Sequence, residues 1–136
     1  MLLTGTAAEL EPHRKIMQCL PGKRVQSMAG SLSLVQLMEA IRKARLLVSS
    51  STGPLHLADA HNTPLLGFYC PVPPHTPVRW GPYQQRHWVV TPELESPKRC
   101  RLKNCPYGGC LNMLDSIRIE EALGKRLADL LPVSLN

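Results

Sequence analysis

Aromatic residues are scarce in this 136-residue sequence: they make up 4% of it, with a single phenylalanine. A core must therefore come mainly from Leu, Val, Ile, Ala and Met. The sequence offers no row of aromatics on which nucleic-acid bases would stack, so nucleic-acid binding has little support. Long apolar runs are also missing. None approaches the roughly 20 residues that a membrane-spanning helix needs. The opening residues, MLLTGTAAELEPHRK, lack a basic stretch followed by a long apolar one, so no signal peptide is evident. Acidic side chains are few, 10 against 16 Lys and Arg, which leaves a formal charge of +6. That balance favours an anionic partner: a phosphate-bearing small molecule, a nucleic acid or an anionic membrane surface. A merely basic, soluble surface accounts for it equally well. The basic residues form no long tract, and the densest group is Lys98, Arg99, Arg101 and Lys103.

Hydrophobic residues supply 43% and charged residues 19%, enough for a packed core and against global disorder. The length suits one domain. The five cysteines are an odd number. Without an export signal they read first as reduced thiols, in a protein expected in the cytoplasm.

Residues 2–4 form a short apolar run ending at Gly5, like the end of a strand. Residues 7–20 have helical spacing, with Leu10, Ile16, Met17 and Leu20 as the expected buried face. Pro21 and Gly22 stop this helix. A short strand is expected over residues 24–28. Ser31 or Ser33 can cap the next helix, in which Leu34, Leu37, Met38 and Ile41 recur at i, i+3, i+4 and i+7. Leu46, Leu47 and Val48 suit a strand buried on both faces of a parallel sheet. Thr52 and Gly53 make a turn, and Pro54 opens a helix reaching Ala60. Residues 63–69 read as another buried strand. This alternation predicts an α/β layered domain with a mainly parallel sheet. Residues 70–82 carry five prolines and should form a stiff loop. A last strand is expected over residues 88–90, then a loop rich in basic residues and cysteine over 91–110. A final amphipathic helix over 117–131 should turn Ile119, Leu123, Leu127 and Leu130 inward and end at Pro132.

The most informative segment is residues 46–60, LLVSSSTGPLHLADA. It places a Ser/Thr/Gly turn between a buried strand and a helix N-terminus. Ligands of open α/β sheets bind outside the carboxyl ends of the strands. A helix end there presents free N–H groups and partial positive charge, which suits phosphate. Gly53 would let a ligand approach the backbone, Ser50, Ser51 and Thr52 supply hydroxyls, and His56 sits one turn into the helix. The plainer alternative is an ordinary capped helix with a structural histidine.

The stretch STGPLHLADAHNTPLLGFY resembles the signature of glycosyltransferase family 9, the ADP-heptose:lipopolysaccharide heptosyltransferases. The resemblance extends to SLSLVQLMEAIRKARLLVS before it and PVPPHTPVRWGPY after it, and on to Cys110 and Ile117. It implies a Rossmann-like parallel-sheet layer domain, a single unit over residues 1–136. That unit resembles the C-terminal, nucleotide-sugar-binding half of a GT-B enzyme. It implies that Thr52, Gly53 and Pro54 form the turn that holds the diphosphate and that His56 lies near diphosphate and sugar. Leu32 would pack on the adenine. Glu9 would accept from the ribose hydroxyls, with Glu11 in competition.

Three departures qualify the match. Many members have Asp before Thr-Gly, contacting the sugar, where this sequence has Ser51; relatives with Ser-Thr-Gly-Pro and Arg-Trp-Gly-Pro form a branch that this chain matches. The acceptor domain, expected to hold the general base, is missing. No residue here has an evident claim to that role, and Asp59 reads as a solvated helix-surface acid. The resemblance also implies that the chain starts inside the family's domain, without its first strand and phosphate-contacting lysine. Absence of that strand would leave backbone edges unpaired.

Cys100, Cys105 and Cys110 follow a C-x4-C-x4-C spacing. Structural zinc favours tighter pairs and needs a fourth ligand, for which Cys70, Cys19, His75 or His87 serve only if folding brings one near. A disulfide can form in vitro but is not expected in a reducing cytoplasm. The proline-rich segment could close over the donor sugar or pack Trp80 on the domain as a rigid surface loop, the second being favoured. Arg79 is expected in solvent rather than on a phosphate. The expected function is binding of an ADP-heptose-like nucleoside-diphosphate sugar for transfer to a lipopolysaccharide-type acceptor, with no metal and no cofactor. The chain alone is expected to be inactive. Two alternatives stand beside it: a non-catalytic truncated remnant, and a metal- or redox-responsive module on the cysteine loop.

Overall fold

A computed structural model describes residues 1–73, 75–93, 105 and 109–131. The chain divides into two compact units, Met1–Ala40 and Ile41–Asn136.

In the first unit, strand β1 (Leu2–Leu3) and strand β2 (Gln26–Ser27) pair in parallel, Leu2 opposite Gln26 and Leu3 opposite Ser27. Between them run a 3-10 turn at Ala7–Glu9 and helix α1 (Leu10–Gln18). The apolar stripe of α1 is not the buried face that its spacing predicts. Leu10, Ile16 and Met17 are exposed, and Leu20 is half-buried. The buried residue of α1 is His13, whose Nδ1 lies 2.7 Å from Ser27 Oγ. Two short strands offer too little surface to cover a whole helical stripe, and the residue nearest β2 takes what cover there is.

Helix α2 spans Leu34–Arg42. Of its two candidate caps, Ser33 serves. Its Oγ accepts the Gln36 N–H at 3.3 Å, and Gln36 Oε1 accepts the Ser33 N–H at 2.8 Å, a reciprocal capping box. Leu37 and Met38 are half-buried and Ile41 is buried, but Leu34, expected inside, is exposed. It sits in the first turn, past the cover that Ile41 reaches.

The second unit holds strand β3 (Leu47–Ser50), helix α3 (Gly53–Ala60), strand β4 (Leu65–Phe68), a short helix α4 (Pro77–Trp80), strand β5 (Val89–Val90), a 3-10 turn at Cys110–Met113 and helix α5 (Ser116–Leu130). The strands order as β3-β4-β5, all parallel, with Leu47 opposite Leu65 and Gly67 opposite Val89. Central β4 is the most buried: Leu65 and Leu66 are sealed, as is Tyr69 just beyond. β3 is an outer strand of this sheet, so Val48 is 48% exposed rather than buried on both faces.

Helix α3 packs its Leu55 and Ala58, both fully buried, against the sheet. Gly67 makes the close approach possible: a Cβ there would stand 2.7 Å from Leu55 Cδ1. α5 is capped by Asp115, whose carboxylate accepts the Ile117 N–H at 3.1 Å. Ile119, Leu123 and Leu130 are half-buried as the spacing predicts, but Leu127 is 46% exposed. Arg126 is the buried side chain of this helix. It lies three, seven and four positions from Leu123, Ile119 and Leu130, on their face, whereas Leu127 rotates past its edge. Its Nε donates to the Leu65 carbonyl at 3.2 Å, its Nη2 to Gln85 Oε1 at 2.6 Å, and its guanidinium lies 4.4 Å from the centre of the Trp88 ring. The Pro132 stop lies outside the described residues.

Candidate functional site

The turn after β3 and the first turn of α3 carry five of the sequence-derived candidates. Ser51, Thr52, Gly53 and His56 are exposed, and Pro54 is half-buried. Thr52 is the N-cap in extended conformation, φ −137° and ψ 167°, yet its side chain does not cap the helix. Its Oγ1 instead lies 3.0 Å from Ser49 Oγ and donates to the Ser50 carbonyl at 3.2 Å. Pro54 brings no N–H, and the Leu55 N–H turns back to the Thr52 carbonyl at 3.1 Å. The positive end of α3 therefore carries no side-chain cap at the carboxyl end of a parallel strand.

Gly53 is not required by the fold. A Cβ built on it meets nothing within 4 Å, so its bareness leaves open space over the helix end. His56 stands one turn along the same helix, on the exposed side.

Two buried side chains tie the segments around α4 to the end of β4 and to helix α3. Tyr69 is fully buried, and its hydroxyl donates to the Trp80 carbonyl at 2.8 Å. Burial pushes the phenol's pKa above its ordinary value, and the Ser51 side chain nearby opposes that rise. Asp59, expected as a solvated acid, is buried at 6% exposure. Its carboxylate accepts the backbone N–H groups of Tyr83, Gln84 and Gln85. That bolts the segment after α4 onto the far half of α3. Trp80 is not the apolar anchor expected of it: its side chain is 47% exposed, and Pro82 and Val72 are buried instead. Its carbonyl, not its ring, is what the fold holds. Arg79 is exposed as expected, its guanidinium 5.4 Å from the Trp80 ring centre.

The remaining candidates belong to the first unit. Leu32 is half-buried just before the Ser33 cap. The Glu9 carboxylate is engaged locally: its Oε2 accepts the Thr6 N–H at 2.7 Å and the Thr6 hydroxyl at 2.9 Å. The backbone bond leads in holding its pKa below the ordinary value. Glu11 pairs with Arg14 at 3.6 Å.

Asp59 and Tyr69 were missed as organising residues. A signal for Asp59 exists, because it is four positions from Leu55 and adjacent to Ala58 and so shares the buried face of α3. Tyr69 carries no such signal, since its partner is a main-chain carbonyl 11 positions away.

The cysteine loop is only partly described, and Cys100 lies outside the described residues. Cys19, Cys70, Cys105 and Cys110 are in no disulfide. Cys70 Sγ lies 2.8 Å from Cys110 Sγ, and Cys105 Sγ lies 3.8 Å from it. Among the described residues no group of three His, Cys, Asp or Glu side chains is placed to hold a metal ion, and no helix is long and apolar enough to cross a membrane.

Comparison with known proteins gives this geometry a context. The chain is 30% identical over 111 residues to the lipopolysaccharide core heptosyltransferase OpsX of Haemophilus influenzae, a match covering 73% of this chain and 29% of OpsX. It superposes on the ADP-heptose lps heptosyltransferase II of E. coli with a TM-score of 0.70 at 22% identity, over 94% of this chain and 36% of that one. A family 9 glycosyl transferase from Veillonella parvula gives a TM-score of 0.68 at 20% identity, with the same coverage. Both superpositions establish the α/β, GT-B-like fold. The chain thus spans about a third or less of the length of these relatives. The profile of glycosyltransferase family 9 (heptosyltransferase) matches residues 1–111, and the chain belongs to that family.

Proposed function

We propose that this chain contributes the donor-holding part of a family 9 glycosyltransferase, with the diphosphate of a nucleoside-diphosphate sugar seated at the N-terminus of α3. The observation that carries the reading is the uncapped helix end at the carboxyl edge of β3, with Gly53 leaving open space above it. Diphosphate is the ligand this arrangement suits, because the Gly53 N–H and the helix dipole meet where negative charge would sit. In this reading the Gly53 N–H and the Thr52 hydroxyl face the phosphates, and Pro54 fixes the first turn. The His56 imidazole donates to a phosphate or sugar oxygen, and Ser51 offers a neutral hydroxyl to the sugar. The donor is an ADP-heptose-like compound and the acceptor a lipopolysaccharide-type glycan. Leu32 is assigned to the adenine and Glu9 to the ribose. No residue of this chain is assigned as the catalytic base.

The test is calorimetric titration of the purified chain with ADP, UDP and GDP, alongside His56→Ala. Selective ADP binding that weakens in His56→Ala supports the assignment. A folded chain that binds none of the three overturns it and favours a non-catalytic remnant. Equal affinity for all three nucleotides would remove Leu32 as an adenine platform while leaving the diphosphate site.

A further inference from the structure

The cysteines are the chemistry that donor binding does not use. Cys70 follows β4 and Cys110 opens the 3-10 turn before α5, 40 positions later in the chain, yet their sulfurs stand 2.8 Å apart. That is well inside the contact distance of two non-bonded sulfurs, and a disulfide would need them at about 2.05 Å. We propose that Cys70 and Cys110 form a reversible disulfide, a covalent modification site that joins the end of β4 to the turn preceding α5.

Of the described thiols near Cys110, Cys105 is the competing partner, at 3.8 Å. Cys70 is favoured because its sulfur is already the nearer by 1.0 Å, the difference between these two separations. A tetrahedral thiolate metal site fits less well. Metal–sulfur bonds of about 2.3 Å set neighbouring sulfurs roughly 3.8 Å apart, which the Cys105–Cys110 pair satisfies and the Cys70–Cys110 pair does not.

The step needs an oxidant, and a small-molecule disulfide supplies it. The Cys70 thiolate attacks one sulfur of that disulfide, forming a mixed disulfide and releasing one thiolate. Cys110 loses its proton to that released thiolate and attacks Cys70 Sγ. The S–S bond between Cys70 and Cys110 forms, and the second small thiol leaves. Two protein thiols are oxidised and one small disulfide is reduced to two thiols. The order of attack follows from the environments. Cys110 is buried, and burial, followed by the neighbouring sulfurs, pushes its pKa up to about 12, so it remains a thiol at neutral pH. Cys70 is more open and takes the first step.

The experiment treats the full chain with oxidised glutathione, blocks remaining thiols by alkylation and maps disulfides by mass spectrometry of peptides. Metal content is measured on the same protein before oxidation, and melting temperatures are compared in oxidised and reduced states. The expected result is a Cys70–Cys110 cross-linked peptide and a melting temperature about 5 °C or more higher when oxidised. Cys105→Ser should keep both effects, whereas Cys70→Ser should lose both. Mapping of the unmutated chain decides the matter even if a variant fails to fold. A principal link between any other pair, glutathione left on Cys70 with no internal bond, or a stoichiometric metal that protects these thiols from oxidation would each overturn the proposal. None of these outcomes depends on whether the chain binds ADP.

Discussion

The hydroxyl of Tyr69 donates to the main-chain carbonyl of Trp80 at 2.8 Å, and the nearby Ser51 side chain opposes the rise that burial gives its pKa. One buried phenol thereby holds the end of α4 beside the turn that enters α3. Tyr69→Phe keeps the ring and its packing and removes only the hydroxyl. The expected loss is about 1 kcal/mol of stability, read from urea denaturation. ADP affinity should fall with it, because the phenol hydroxyl is then lost from beside Ser51, next to Thr52. Unchanged ADP affinity in a folded Tyr69→Phe chain would show that the phenol has no part in shaping the turn.

Asp59 gathers three backbone N–H groups that no other side chain is seen to serve. Truncating it strips the acceptor from all three at once. Asp59→Ala should cost about 2–3 kcal/mol, and Asp59→Asn, which keeps one acceptor oxygen without the charge, roughly half of that. Equilibrium denaturation gives both values. Equal stability of wild type and Asp59→Ala would return this residue to the role of a solvated acid.

How much of this was readable in the sequence depends on the range of the interaction. Local signals carried well. Thr52, Gly53 and Pro54 start a helix where the spacing places it, and the continuous apolar strand around Leu65 and Leu66 is the buried centre of its sheet. Periodicity failed where the cover over a face is small. In α1 the stripe is present, but His13 is buried while Leu10 and Met17 are exposed, because the strand that packs on it, β2, is two residues long. Long-range polar contacts left no trace at all. Nothing near Arg126 in the sequence points to Leu65, Gln85 or Trp88, and nothing near Tyr69 points to Trp80.

Arg126 tests how far a buried cation can hold a fold together. It is 7% exposed, and burial lowers its pKa from the ordinary guanidinium value, yet it stays charged at any physiological pH. Its bonds to the Leu65 carbonyl and Gln85, and its position over Trp88, offset the desolvation. Arg126→Met fills similar volume but leaves Gln85 Oε1 with one donor fewer. A loss of about 3 kcal/mol is expected. Arg126→Lys should fall in between, since a single ammonium cannot reproduce the planar fork. Denaturation midpoints, followed by tryptophan fluorescence, would reveal a neutral Arg126→Met and so a dispensable network.

Glu9 gives the first unit a predictable acid response. Its carboxylate, bonded to the Thr6 N–H and hydroxyl, titrates below its ordinary value of 4.5 in the folded chain. For a depressed acid the unfolded chain takes up a proton first as pH falls. The stabilisation from the ionised group is therefore fully present above about pH 5 and is lost as the pH drops through the folded value. Glu9→Gln cannot ionise and lacks this dependence. The variant should be less stable than wild type at pH 7, and the gap should narrow steadily below pH 4.5, the ordinary value. Carboxyl chemical shifts of Glu9 followed by NMR give the titration directly, and paired denaturation curves at neutral and acid pH give the gap. If the same gap persists at both, the Glu9–Thr6 bonds contribute nothing through charge. ADP titration of Glu9→Gln then separates this local role from contact with a ribose: stability lost with affinity retained would leave Glu9 a helix-start residue alone.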